Sequence, residues 1–75
     1  MDVPEILSET TKITITSDTS VYIENYISVI EYNQDEIILK LKRKNLQITG
    51  LNLSIRYLTF NNMYIDGTIH SVSYL

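Results

Sequence analysis

The sequence contains no cysteine and no alanine, and only one histidine, one proline and two glycines among its 75 residues. Without cysteine there is no disulfide, no thiolate metal site and no thiol nucleophile. Lacking alanine, the chain is short of the best helix former, and little helix is expected. A lone histidine leaves no imidazole pair for a metal, and the nine acidic residues are dispersed without ligand spacing. Glycine is too sparse for a phosphate-cradling loop. No apolar run approaches the roughly 20 residues of a membrane-spanning helix. An excess of positive charge is also missing. The net charge is −3 and the isoelectric point is near 4.8, so the bulk field does not draw nucleic acid. The first residues show no basic segment followed by a long apolar stretch, and the expectation is a soluble, intracellular protein.

What the sequence does have is alternation. Twelve Ile, four Val and eight Thr make β-branched residues about a third of the chain, a strand-forming composition. Apolar residues recur at every second position: Ile13 and Ile15, Val21 and Ile23, then Ile37, Leu39 and Leu41. Leu46 and Ile48 follow, then Leu51, Leu53 and Ile55, then Met63 and Ile65. A period of two places each set on one face of a strand. After a lead-in over 1–10, a single domain over 11–75 is expected, with strands near 11–17, 20–24, 26–33, 36–43, 45–49, 52–58, 62–66 and 68–74. Ser17 to Ser20, Asn33 to Glu36 and Asn61-Asn62 read as turns, and Asn25 as a positive-φ position between strands. Each glycine marks a bulge, bend or positive-φ turn. Asp66-Gly67 fits either a type I′ hairpin or a bulge within one long bent strand.

Some of these strands are apolar on both faces. Ile27 and Val29 oppose Tyr26, Ile30 and Tyr32, while Ile69 opposes Val72 and Tyr74. Two apolar faces require two layers or a partner. The expected fold is therefore all-β: a small antiparallel two-layer sandwich or half-open barrel of about seven or eight short strands. A chain of 8.7 kDa hides only roughly 60% of its extended surface, which makes self-association a common source of stability.

Candidate interaction residues follow from side-chain type. Tyr22, Tyr26, Tyr64 and Tyr74 are read as one surface used for assembly, because tyrosine buries a large ring while keeping one polar contact. Lys40, Lys42 and Lys44 would share one side of a strand. They form either a basic patch for an acidic partner or anionic headgroups, or an edge protected by lysine against aggregation. Catalysis is poorly supplied. His70 lies among Ser and Thr in an alternating strand, and no G-x-S-x-G sequence surrounds any serine. No catalytic, cofactor-binding or metal-binding residue is expected.

Four stretches, taken in order, carry a resemblance. They are Ile13-Thr14-Ile15, Val21-Tyr22-Ile23-Glu24-Asn25-Tyr26, Ile48 to Ile55 around Gly50, and Tyr64-Ile65-Asp66-Gly67-Thr68-Ile69. Their order and spacing resemble the YabP/YqfC family of bacterial sporulation proteins, most closely its YqfC branch. The chain departs from the family pattern at Ser28 and Lys44, where glycine is usual, at Leu51, where a basic residue is common, and at Asn61-Asn62, which replace an acidic turn. The resemblance implies a non-enzymatic role in endospore formation in a Firmicutes-type bacterium, on the mother-cell side. It further implies a protein partner, among them a membrane-embedded sporulation protein, that would hold the chain at the forespore membrane.

The combined expectation is a small β domain that serves as an interaction or assembly component, forms a homo-oligomer, and binds no nucleic acid or small-molecule substrate. The alternatives are an OB-like nucleic-acid-binding barrel, a polymerising β-solenoid subunit, and a small hydrolase built around His70.

Overall fold

Alternating Ile, Val and Leu fold into strands wherever the turn residues allow the chain to reverse. The structure, a computed structural model, describes residues 11–75; the lead-in expected over 1–10 lies outside them. The strands are β1 (Lys12–Thr16), β2 (Ser20–Glu24), β3 (Ser28–Tyr32), β4 (Glu36–Lys40), β5 (Asn45–Leu58) and β6 (Asn62–Tyr74). They form one open antiparallel sheet in the order β1-β2-β6-β5-β4-β3. The all-β antiparallel class is as expected. Among the described residues the strand count is six, because 45–49 with 52–58, and 62–66 with 68–74, run on as two long strands. Asp66-Gly67 is accordingly an irregularity inside β6 and not a hairpin turn. Neither a solenoid nor a closed OB-type barrel has this strand order.

The sheet has an internal two-fold likeness. The β1–β2 hairpin lies along the first half of β6, and the β3–β4 hairpin along the first half of β5. Val21 pairs with Ile65 and Ile23 with Met63; in the other half, Ile37 pairs with Ile48 and Leu39 with Leu46. Among the described residues these eight are the largest fully buried side chains, and they belong to one apolar cluster. The turns repeat the likeness. Gly67 N–H donates to Thr19 C=O at 3.1 Å and Ile69 N–H to Asp18 C=O at 2.7 Å. Gly50 N–H donates to Asp35 C=O at 3.0 Å and Leu53 N–H to Gln34 C=O at 2.9 Å. Segments 46–50 and 63–67 even share the pattern apolar-x-Ile-x-Gly.

A flat sheet cannot bury side chains completely on one face, so this one must curve over its own interior. The curvature enters where β5 and β6 cross. Register shifts fall at Thr49/Gly50, Leu51/Ser54 and Ile55/Tyr57, and bulges of this kind bend a strand and sharpen its twist. Both glycines sit at the crossing. A Cβ on Gly50 would lie 1.9 Å from the Thr68 carbonyl oxygen. Gly67 adopts φ 141°, and a Cβ there would meet the Asn52 and Leu51 carbonyls at 2.8 and 3.0 Å. Only glycine lets the two backbones approach this closely.

Candidate interaction surface

The curvature that closes the core also sets which rings reach the outside. On β2 and β6, Val21, Ile23, Met63 and Ile65 point inward, so Tyr22 and Tyr64 point outward. They are cross-strand partners with ring centroids 6.2 Å apart. Tyr57 extends the row onto β5, its ring 6.0 Å from that of Tyr64. Strict alternation would place Tyr57 inward with Leu53 and Ile55. The register shift between Ile55 and Tyr57 turns it to the outer face instead, which is why a period-two reading misses it. Tyr22, Tyr57 and Tyr64, with Thr59, Asn62 and Met63, line an apolar pocket of about 360 Å³. Beside it, Thr59 to Asn61 form the β5–β6 turn, where Phe60 is 97% exposed.

The other two predicted tyrosines lie elsewhere, so the four do not form one face. Tyr26 is buried in the core at the β2–β3 connection, where its N–H donates to Asn61 C=O at 3.2 Å. Tyr74 ends β6 at the far end of the long hairpin, with Lys44 Nζ 4.1 Å from its ring centroid. The lysines do not share a strand face either. β4 ends at Lys40, and residues 41–44 form the β4–β5 turn, closed by Leu41 N–H donating to Lys44 C=O at 2.9 Å. Lys42 and Lys44 thus belong to a turn, and the Lys40 to Lys44 cluster is not a protected edge strand. The alternation through Leu41 suggested a longer strand because Leu41 is indeed buried, but from the turn.

β3 is the second candidate surface. It is an outer strand of the sheet, and all five of its residues are exposed. Val29, Ile30 and Tyr32, with Ile27 just before, offer water large apolar side chains from both faces of one edge. The equivalent edge in the other half, β1, exposes Lys12, Thr14, Ile15 and Thr16 and keeps Ile13 half-buried against the core. Two edges related by the fold's own likeness therefore carry different chemistry: β1 sets Lys12, Thr14 and Thr16 beside one exposed isoleucine, while β3 sets Ser28 and Glu31 among three large apolar side chains, with a register shift between Val29 and Glu31.

His70 is exposed on β6, and the neighbouring Ser71 hydroxyl hydrogen-bonds Thr49 Oγ1 across the β5–β6 pair. The Ser71 hydroxyl is thereby engaged with a sheet neighbour. Among the described residues, no three His, Asp or Glu side chains gather as metal ligands, and no helix is long and apolar enough to cross a membrane.

The sequence profile of the YabP family matches residues 8–75. The chain is also 28% identical over 72 residues to the Bacillus subtilis (strain 168) uncharacterized protein YqfC, a match covering 96% of this chain and 77% of that protein. No solved structure matches significantly. This chain belongs to the YabP family.

Proposed function

We propose that this YabP-family chain is a non-catalytic docking module of endospore formation, and that it works by adding an extended segment of a protein partner to the β3 edge. The observation that carries this reading is the exposure of Val29, Ile30 and Tyr32 on an outer strand and of Ile27 just before it. Strand addition takes its affinity from backbone hydrogen bonds and its specificity from alternate side chains, and β3 supplies both. The last residue of β4 adjoins it: Ser28 pairs with Lys40, and Ile27 N–H donates to Lys40 C=O at 2.8 Å. The fitting partner is an apolar segment with an acidic end that lies against Lys40. Spore formation itself comes from the family resemblance, as do the mother-cell location and a membrane-embedded partner that holds the chain at the forespore membrane.

The test is the yield of heat-resistant spores from cells whose only copy carries Ile30→Lys, compared with His70→Ala and with a deletion. Loss in Ile30→Lys to the deletion level, with a normal yield in His70→Ala, supports the reading. Normal sporulation in Ile30→Lys alongside failure in His70→Ala contradicts it.

A further inference from the structure

We propose that the β4–β5 turn is a lipid-facing end of the molecule, docking on the anionic headgroups of a bilayer. The contact is with lipid itself and does not depend on the strand-addition reading of β3.

Backbone bonds bring separate segments to this end. Leu41 N–H closes the turn on Lys44 C=O at 2.9 Å, and Leu75 N–H donates to Asn45 C=O at 2.8 Å. Ile27 N–H donates to Lys40 C=O, and Thr11 Oγ1 donates to Asn25 C=O at 3.2 Å, so the start of β1 arrives here too. Among the described residues this end carries Lys12, Lys40, Lys42, Arg43 and Lys44, all exposed, and one acid, Glu24. Glu24 stands opposite Lys12 across the β1–β2 pair, so the surplus of positive charge falls on Lys40 and the turn.

The acids lie at the other end. The β1–β2 and β3–β4 turns both sit on the β5–β6 crossing, where the Asp18 and Asp35 carbonyls accept from Ile69 and Gly50 N–H. Asp18, Asp35, Glu36 and Asp66 gather there, with Arg56 held to Asp66 at 3.2 Å, while Glu31 lies partway along β3. Four strand steps separate Glu36 from Lys40, roughly 13 Å, against a screening length of about 8 Å at physiological salt. A surface touching the basic end therefore meets local positive charge, whatever the net charge of −3.

Apolar side chains among the cations favour lipid over other polyanions. Tyr74 is 55% and Leu75 61% exposed beside the turn, and Ile27 is 54% exposed beside Lys40. Lys44 Nζ lies 4.1 Å from the Tyr74 ring centroid, so charge and ring are presented together. A bilayer interface takes aromatic and aliphatic groups at headgroup level while its phosphates meet lysine and arginine. Single-stranded nucleic acid would call for several stacking rings along a basic groove, and this end offers one. Lys40, Lys42, Arg43 and Lys44 form a small cluster, so the contact is weak, reversible and sensitive to salt.

Co-sedimentation with vesicles tests the proposal, using the full chain with its Asp2, Glu5 and Glu9. Binding is expected to phosphatidylcholine vesicles that contain phosphatidylglycerol, not to phosphatidylcholine alone, and to disappear in high salt. Arg43→Gln weakens it roughly fivefold, and Lys40→Gln with Arg43→Gln about 25-fold. Arg56→Gln, at the acidic end, leaves it unchanged. All three side chains are exposed, and circular dichroism verifies that each variant keeps the fold. Failure to bind the anionic vesicles overturns the proposal. So does equal binding to pure phosphatidylcholine, or a loss in Arg56→Gln as large as in Arg43→Gln, since neither would be a contact of this turn's charge. Binding to polyglutamate or single-stranded DNA as tight as to the vesicles also overturns it, because the turn would then serve an acidic protein or a nucleic acid.

Discussion

Asn25 and Asn61 hold each other across the molecule by two bonds. Asn61 Nδ2 donates to Asn25 Oδ1 at 2.9 Å, and Asn25 N–H donates to Asn61 C=O at 2.7 Å. Asn25 has φ 69°, a left-handed conformation that asparagine tolerates better than most residues. The pair joins the β2–β3 connection to the β5–β6 turn, so one contact ties the core to the turn that carries Phe60.

That arrangement separates two effects in one position. Asn25→Gly keeps the backbone conformation and loses the side-chain bond, for about 1 kcal/mol. Asn25→Ala loses the bond and strains the left-handed backbone as well, for about 2 kcal/mol. Urea unfolding of the two variants checks the order; an alanine variant as stable as the glycine variant would mean the backbone conformation is unimportant.

At the β5–β6 crossing, Gly50→Ala pushes a methyl group into the Thr68 carbonyl and costs about 3 kcal/mol or more. Gly67→Ala, at φ 141°, costs about 2 kcal/mol. Thermal melts measure both. Wild-type stability in Gly50→Ala would contradict the close approach of the two strands.

The two-fold likeness makes a prediction about the core. Ile48 and Ile65 are equivalent and fully buried, and each pairs with an apolar residue of its hairpin, Ile37 or Val21. Ile48→Val and Ile65→Val are each expected to cost about 1 kcal/mol, agreeing within about 0.5 kcal/mol. Denaturant titration distinguishes this from a core that leans on one half.

On the exposed edge, Ile30→Lys changes stability by no more than about 1 kcal/mol, because half of the isoleucine side chain is already in water and the lysine stem can cover the rest of its footprint. It also lowers the tendency to aggregate on concentration, read by light scattering. An unfolded Ile30→Lys variant would show that β3 is held by packing absent from its exposed surface.

Much of the sheet was legible in the residues. Ser17 to Ser20 and Asn33 to Glu36 do turn the chain, and Asn25 does adopt positive φ. Alternation correctly marked Val21, Ile23, Ile37, Leu39, Leu46, Ile48, Met63 and Ile65 as inward. It failed where the period slips. Alternation groups Leu51 with Leu53, but Asn52 takes φ 55° inside a register shift, so Leu51 is exposed and Leu53 buried. The slip at Arg56 did the same to Tyr57, hiding a member of the tyrosine row. The signal that could have exposed the architecture is the shared pattern of Leu46 to Gly50 and Met63 to Gly67, a short echo that marks two equivalent half-strands. Alternation misplaces the lysine cluster because it continues through Leu41, where the Leu41–Lys44 hydrogen bond already closes the turn. Tyr26 and Tyr74 show a different limit: composition marks a ring as useful but not which end of a sheet it occupies.

Site-specific photo-crosslinking in sporulating cells tests the central claim most directly, with a benzophenone side chain at position 30 and, as control, at position 70. The account predicts a discrete protein adduct from position 30 that is lost when Val29 is changed to Lys in the same chain, and none from position 70. An adduct from position 70 alone, or a bare β3 in cells that sporulate normally, would contradict it.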